Sequence, residues 1–404
     1  MPPKMRLGIA GLGVASTNCL PEIIAHPNVT LTAAADVRPE ARERFARDFH
    51  AETFDSVEAL CASPNVDAIT ILTPNRFHAE HAILAADHGK QVLCDKPMAV
   101  SLEDADRMIA AAERNGVRLL IGHTQSLDPP IRKMAEIVAS GELGRPLLIN
   151  TSFYSDWLYR PRSPEELDPS QGEGLVLRQG PVQVDIVRML GGGIGKGVRA
   201  SVSMADARRP IDGGYGAFLT FASQACGQLT YSAYAFSDSA ELTSGIGLSG
   251  MPANLDANRA SRQQIAAFTD LAEEAAYKDS TRYGGSRMHM ADPQAVPRDK
   301  RHAFFGFTIV TCERGEMRQS PTGLLLYDTA GRHELEVGGG DYFRRYTSVE
   351  LDLMYSAWAN DAPLAAHDGR WGKATLEVCL GILRSSEEGR EIDLACQVPY
   401  SAQL

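Results

Sequence analysis

The stretch Arg6-Leu7-Gly8-Ile9-Ala10-Gly11-Leu12-Gly13-Val14-Ala15-Ser16 decides the fold of this chain. A short apolar run of strand length stops at two glycines, and small apolar residues then open a helix. Gly11 permits the tight turn, and Gly13 lets backbone approach a pyrophosphate at the helix N-terminus. Ser16 supplies a small residue where a third glycine often stands. A lone Gly-x-Gly is weak evidence, but here the strand precedes it and the helix follows. A second strand at 31–35 ends in Asp36, about 20 residues beyond the glycines, where a carboxylate grips an adenosine ribose. The other reading of Asp36 is an N-cap for the helix opening at Pro39. A carboxylate there repels a 2′-phosphate and favours NAD, whereas Arg38 would receive that phosphate and leaves NADP open.

The alternation continues outward. Helices at 39–49 and 56–61 precede a strand at 68–72, which breaks at Thr73-Pro74-Asn75. A helix at 77–88, a strand at 91–94, a helix at 102–115 and a strand at 117–121 follow. Repeated strand–helix units of this length predict an α/β fold with a doubly wound parallel sheet. At 404 residues the chain is too long for one ordinary core. The expected division is a nucleotide-binding domain at 1–125 and an α+β domain at 126–404. After a helix at 130–140, strands at 147–153, 198–204, 216–221, 227–235, 303–312, 324–328 and 333–337 read as a mostly antiparallel sheet. The polar stretch 277–301, with Gly284-Gly285 and two prolines, reads as a long surface loop or lid. Amphipathic helices at 348–360 and 369–385 close the chain.

Composition excludes several classes. With 44% hydrophobic and 23% charged residues, and no apolar run of membrane-spanning length, a globular protein without a membrane partner is expected. The N-terminus lacks the pattern of a signal peptide, so a cytoplasmic location is expected. A net charge of -11 argues against nucleic acid as a partner. The seven cysteines form no Cys-x-x-Cys pair and read as free thiols. No metal site is expected: His289, between two methionines, lacks partners at ligand spacing.

One further stretch carries chemistry. Leu93-Cys94-Asp95-Lys96-Pro97 puts an acid and an amine at the carboxyl end of a strand, where open α/β sheets bind ligands. The proline restricts Lys96 and admits a cis bond. An amine desolvated in such a place has its pKa lowered and becomes a base. The plainer reading is a lysine paired structurally with Asp95.

These segments resemble the Gfo/Idh/MocA oxidoreductases. The resemblance rests on Gly8 to Gly13, Thr73-Pro74-Asn75-Arg76-Phe77-His78, Asp95-Lys96-Pro97 (commonly Glu-Lys-Pro in the family), Gly141-Glu142-Leu143-Gly144-Arg145-Pro146, and Gly369-Arg370-Trp371-Gly372-Lys373-Ala374. Within the family, Asp156 to Asp168, Arg178-Gln179-Gly180, Gln183 to Arg188, Gly214 to Phe218 and Ile309 to Gly315 are similar to the phthalate 4,5-cis-dihydrodiol dehydrogenase branch. The resemblance implies an NAD(P)-dependent dehydrogenase oxidising a secondary alcohol of a cyclic small molecule, a cis-dihydrodiol of an aromatic carboxylate above all. It also implies a homodimer or homotetramer. A sugar or inositol dehydrogenase, a lyase or glycosidase using bound NAD transiently, and a non-catalytic nucleotide-binding regulator are the rivals.

The chain departs from the family at one motif. Where Asp-x-Gly-x-His-x-x-Asp is common, this chain has Arg178-Gln179-Gly180-Pro181-Val182-Gln183-Val184-Asp185. Val182 cannot transfer a proton, so the usual lysine–histidine partnership is missing at these positions. His123, at the end of the strand at 117–121, is the candidate substitute. The candidate catalytic residues are then Lys96, His123 and Asp185. The candidate cofactor residues are Gly11, Gly13, Val14, Asp36, Arg38, Thr73, Pro74, Asn75, His78, Asp95 and Lys96. Those for substrate are Lys96, His123, Tyr159, Arg160, Arg178 and Val182, the two arginines as a clamp for a carboxylate. Asp185 either faces the cleft or caps its helix, and Arg162 reads as a solvated or salt-bridged surface arginine.

Overall fold

The computed structural model describes residues 3–122, 124–290, 299–338 and 345–400. Among them, strands Met5–Ala10 (β1), Val29–Ala35 (β2), Glu52–Phe54 (β3), Ala68–Ile71 (β4), Gln91–Cys94 (β5) and Leu119–Ile121 (β6) form one sheet. Their order is β3-β2-β1-β4-β5-β6, with every neighbouring pair parallel. This is the doubly wound order, which reverses direction between β1 and β4 and opens a crevice there. Helices cover both faces, so Leu7, Ile9, Ile69, Ile71 and Val92 are fully buried.

Local signals set the helices. In Leu102–Asn115, Ala105, Met108, Ala111 and Ala112 recur at helical spacing and are the buried residues. Ser101 Oγ accepts the Asp104 N–H at 3.1 Å, and Gly116 ends the helix at φ 64°.

The second sheet comprises Pro146–Tyr154 (β7), Gly195–Ser203 (β8), Gly214–Phe221 (β9), Cys226–Ser232 (β10), Phe307–Cys312 (β11), Gly315–Ser320 (β12), Gly323–Asp328 (β13), Gly331–Glu336 (β14) and Ile392–Asp393 (β15). Its order is β14-β13-β12-β11-β7-β10-β9-β8-β15. All pairs are antiparallel except β7 with β10. Helices Pro129–Ser140, Gly180–Leu190 and Gly369–Glu388 pack against it. Among the described residues no helix is long and apolar enough to cross a membrane.

Several expectations need correction. The stretch at 277–301 begins as the end of helix Leu271–Thr281. Tyr283 within it is fully buried against Phe45 and donates its hydroxyl to Asp48 at 2.8 Å. Residues 291–298 of that stretch lie outside the described ones. Helices Ala257–Ala267 and Leu271–Thr281 and strand β12 were not anticipated, because each buries little apolar surface. Ala257–Ala267 buries only Asn258, so it carries no apolar periodicity to read.

Candidate active site

Among the segments that leave the first sheet at its carboxyl edge are Gly11–Gly13 after β1, Thr73–Asn75 after β4, Asp95–Lys96 after β5 and Gly122 after β6. Gly11 sits at φ 97°, and a Cβ there would lie 2.9 Å from the Leu72 carbonyl oxygen. Only glycine fits. A Cβ on Gly13 would meet nothing within 4 Å, so open space lies over the backbone that leads into helix Val14–Ala25. That cradle suits a pyrophosphate at a helix N-terminus.

Asp36 follows β2 at the mouth of the cradle. Its carboxylate accepts the Leu12 N–H at 2.7 Å and the Arg38 N–H at 2.9 Å. Arg38 Nη2 in turn donates to the Leu12 carbonyl at 2.6 Å. The N-cap of helix Pro39–Phe49 is Arg38, without a side-chain cap, so Asp36 is not that helix's cap. His78 is buried and joins two loops, with Nε2 2.8 Å from the Thr73 carbonyl and Nδ1 2.8 Å from the Pro97 carbonyl. Thr73 Oγ1 lies 2.9 Å from His81 Nδ1, and Asn75 Nδ2 donates to the Gly172 carbonyl at 3.4 Å. These contacts hold the Thr73-Pro74-Asn75 loop beside Lys96.

The Lys96–Pro97 bond is cis. The Asp95 carboxylate accepts the Lys96 backbone N–H at 2.8 Å, whereas the ammonium donates to the Arg178 carbonyl at 2.6 Å. The plain pairing of this ammonium with Asp95 is therefore replaced by a bridge between the two halves of the chain. Burial pushes the Lys96 amine below its ordinary value, against the pull of Asp95 and with the help of Arg178.

Beside Lys96 is a cavity whose wall includes Met98, Gly122, Thr124, Asp185, His367 and Trp371. Asp185, on helix Gly180–Leu190, faces it and caps nothing. One carboxylate oxygen accepts from Thr124 Oγ1 at 2.9 Å and from Ser126 Oγ, and lies 3.0 Å from His367 Nε2. The other accepts from the Trp371 indole at 2.5 Å. Burial would raise this carboxyl, but His367 and the converging donors hold it well below the usual carboxylate range.

Other candidates stand elsewhere. His123 lies outside the described residues. Val182 is buried one turn before Asp185. The Arg178 guanidinium is committed to Glu166 at 2.7 Å and Glu173 at 2.9 Å, which corrects its role as a free clamp. Arg160 pairs with Asp156 at 3.0 Å, and Tyr159 packs under the Arg262 guanidinium; neither belongs to the cavity wall. Arg162 is no surface residue: it is buried over the Trp157 ring at 3.9 Å, and burial pushes it down to about 9. Among the described residues no group of three potential metal ligands occurs.

Sequence reasoning missed His367, Thr124, Ser126 and Trp371 as wall residues. Trp371 was in a quoted motif, but nothing in its spacing tied it to Asp185, 186 positions away.

This architecture, with a Rossmann cradle joined to an open-sheet domain through a lysine at the junction, defines an NAD(P)-dependent oxidoreductase, and the chain belongs to the Gfo/Idh/MocA family. Residues 5–123 match the oxidoreductase family with an NAD-binding Rossmann fold, and residues 131–245 match the GFO/IDH/MocA C-terminal domain. The chain is 33% identical to 1-carboxy-3-chloro-3,4-dihydroxycyclohexa-1,5-diene dehydrogenase of Comamonas testosteroni, over 95% of each chain. A solved structure of a candidate dehydrogenase from Bordetella bronchiseptica RB50 is 35% identical, with a TM-score of 0.89 over 96% of this chain and 100% of that one. Levoglucosan dehydrogenase, solved with NADH and levoglucosan, shares the fold at 16% identity, with a TM-score of 0.71 over 97% of this chain and 99% of that one.

Proposed function

We propose that this oxidoreductase oxidises a cis-dihydrodiol of an aromatic carboxylate, with Lys96 as the base. The observation that carries the reading is a desolvated amine at the carboxyl edge of the sheet, held by the Arg178 carbonyl beside the cavity. The Comamonas relative, similar along nearly its whole length, is named for a ring that bears a carboxyl and two adjacent hydroxyls.

Gly11, Gly13 and the start of helix Val14–Ala25 would hold the pyrophosphate, and Asp36 the adenosine ribose. Thr73, Pro74 and Asn75 would line the path toward Lys96. Bound there, the nicotinamide supplies the hydride acceptor. The chain's own work is to orient the carbinol and take one proton. The neutral Lys96 amine accepts the hydroxyl proton at Nζ as the carbinol carbon becomes a carbonyl. The resulting ring ketone then enolises to a catechol. The depressed amine makes the base form available at lower pH than for an exposed lysine.

The test is reduced-nicotinamide absorbance with NAD and NADP supplied separately, on phthalate cis-dihydrodiol, related carboxylated dihydrodiols and a panel of cyclic polyols. Turnover of a dihydrodiol, abolished in Lys96→Ala, is the expected result. Turnover confined to the polyols would replace the substrate with a sugar or inositol. Bound cofactor with no turnover anywhere would overturn the reading.

A further inference from the structure

The imidazole of His367 is oriented by the fold and has one nitrogen to spare. Its residue sits in the left-handed region at φ 57°, which is uncommon for a non-glycine residue and is maintained only where the surroundings over-determine it. Here they do. The His367 carbonyl accepts the Ile121 N–H at 2.8 Å, extending the edge of β6, and Asp368 caps the following helix by accepting the Trp371 N–H at 2.8 Å. The ring packs against Trp371 with centroids 5.8 Å apart.

Nε2 lies 3.0 Å from the Asp185 carboxylate and 3.0 Å from Ser126 Oγ. Asp185 is ionised, since Thr124, Ser126 and Trp371 all donate to it. An ionised carboxylate at that distance fixes a hydrogen on Nε2, and in the neutral imidazole that leaves Nδ1 as the acceptor. Nδ1 is buried and has no hydrogen-bond partner among the described residues. A buried polar atom without a partner is rare, and one in a cavity wall marks a place for a ligand group.

We propose that His367 is a specificity-determining residue for a vicinal diol: Nδ1 accepts a hydrogen bond from the hydroxyl adjacent to the one that Lys96 deprotonates. This rests on the proposed dehydrogenase reading. Lys96, an acceptor in its base form, and His367, whose Nδ1 is without a partner among the described residues, line one cavity. A single hydroxyl has one proton and satisfies one of them. Two adjacent hydroxyls satisfy both, and an analogue lacking the second leaves Nδ1 buried and unpaired. Sites built to pair a substrate hydroxyl reject the analogue without it strongly, by at least about 100-fold.

The test compares kcat/KM for a carboxylated cis-dihydrodiol with that for its monohydroxy counterpart. The parent should prefer the diol at least about 100-fold. In His367→Gln, which keeps a donor toward Asp185 but lacks the Nδ1 acceptor, that ratio should fall at least tenfold, mainly through the KM of the diol. His367→Asn suits the left-handed backbone and places a side-chain oxygen near Nδ1, so it should recover part of the preference. Thermal melting of each variant reports its folding. A ratio unchanged in folded His367→Gln, or equal losses on both substrates, would overturn the proposal while leaving the Lys96 reading in place.

A second readout does not depend on turnover. In the 15N-labelled protein, His367 should show the hydrogen on Nε2, and its Nδ1 resonance should shift on adding 3,4-dihydroxybenzoate but not 3-hydroxybenzoate. A hydrogen on Nδ1, or the same response to both probes, would overturn the proposal even if no dihydrodiol proves to be a substrate.

Discussion

At the scale of the residue, burial decides what Lys96 can do. The ammonium loses hydration on entering the junction, so its folded value lies below the ordinary lysine value. Between the folded and unfolded values the unfolded chain binds more protons, and stability therefore rises with pH across that window. The neutral base accumulates over the same window. The expected kcat/KM rises with pH and levels off below about 10.4, the value of an unperturbed lysine. Lys96→Arg, whose side chain stays protonated, should lose at least about 100-fold in kcat. A profile still climbing at pH 10 would count against the amine as the base. Lys96 was legible in the sequence because the Asp-Lys-Pro turn follows a strand at a sheet edge. His367 was not, because what makes it chemical is Asp185, 182 positions earlier, and a left-handed backbone that no local pattern announces.

At the scale of the element, the site is placed by close approach of one helix to one strand. Helix Gly369–Glu388 runs against β6, and a Cβ on Gly372 would lie 2.5 Å from Ile121 Cγ1. Glycine there allows the helix to come near enough for the residues just before it to extend β6, which is how His367 reaches the cavity. Gly372→Ala should cost about 1–3 kcal/mol through overpacking, read from denaturant unfolding. It should also lower the diol preference by moving the helix start. A stable variant with unchanged preference would show that β6 yields instead. The elements themselves were legible to differing degrees. Strand β5 and helix Leu102–Asn115 were read to the residue, because buried apolar periodicity and a serine cap marked them. Strand β12, Gly315-Glu316-Met317-Arg318-Gln319-Ser320, was invisible: its buried face is mostly polar and only Met317 betrays it.

At the scale of the molecule, the first sheet's core is completed by residues far along the chain. Leu351 and Met354 of helix Tyr346–Ala359, together with Tyr283, share a buried cluster with Met5, Leu7, Ile9 and Phe45. A division at residue 125 therefore describes the order of the chain better than the order of packing. The start of that helix is held from both sides. Glu22 of the first sheet's helix accepts the Ser348 N–H at 2.8 Å, and Asp128, just before helix Pro129–Ser140, accepts the Tyr346 N–H at 3.0 Å. Burial pushes the Asp128 carboxyl up to about 7, with Arg345 opposing and Glu22 and Glu350 reinforcing the rise. A carboxyl raised on folding is protonated in the folded chain while the unfolded chain has already ionised. Its stabilisation is fully present below the unfolded value of about 3.9 and is lost as pH rises toward 7. Asp128→Asn keeps the acceptor for Tyr346 and removes the titration. The variant's thermal midpoint, measured from pH 5 to 8, should fall less with pH than the parent's, so that the two differ most at pH 8. Parallel curves would show that Asp128 ionises without cost.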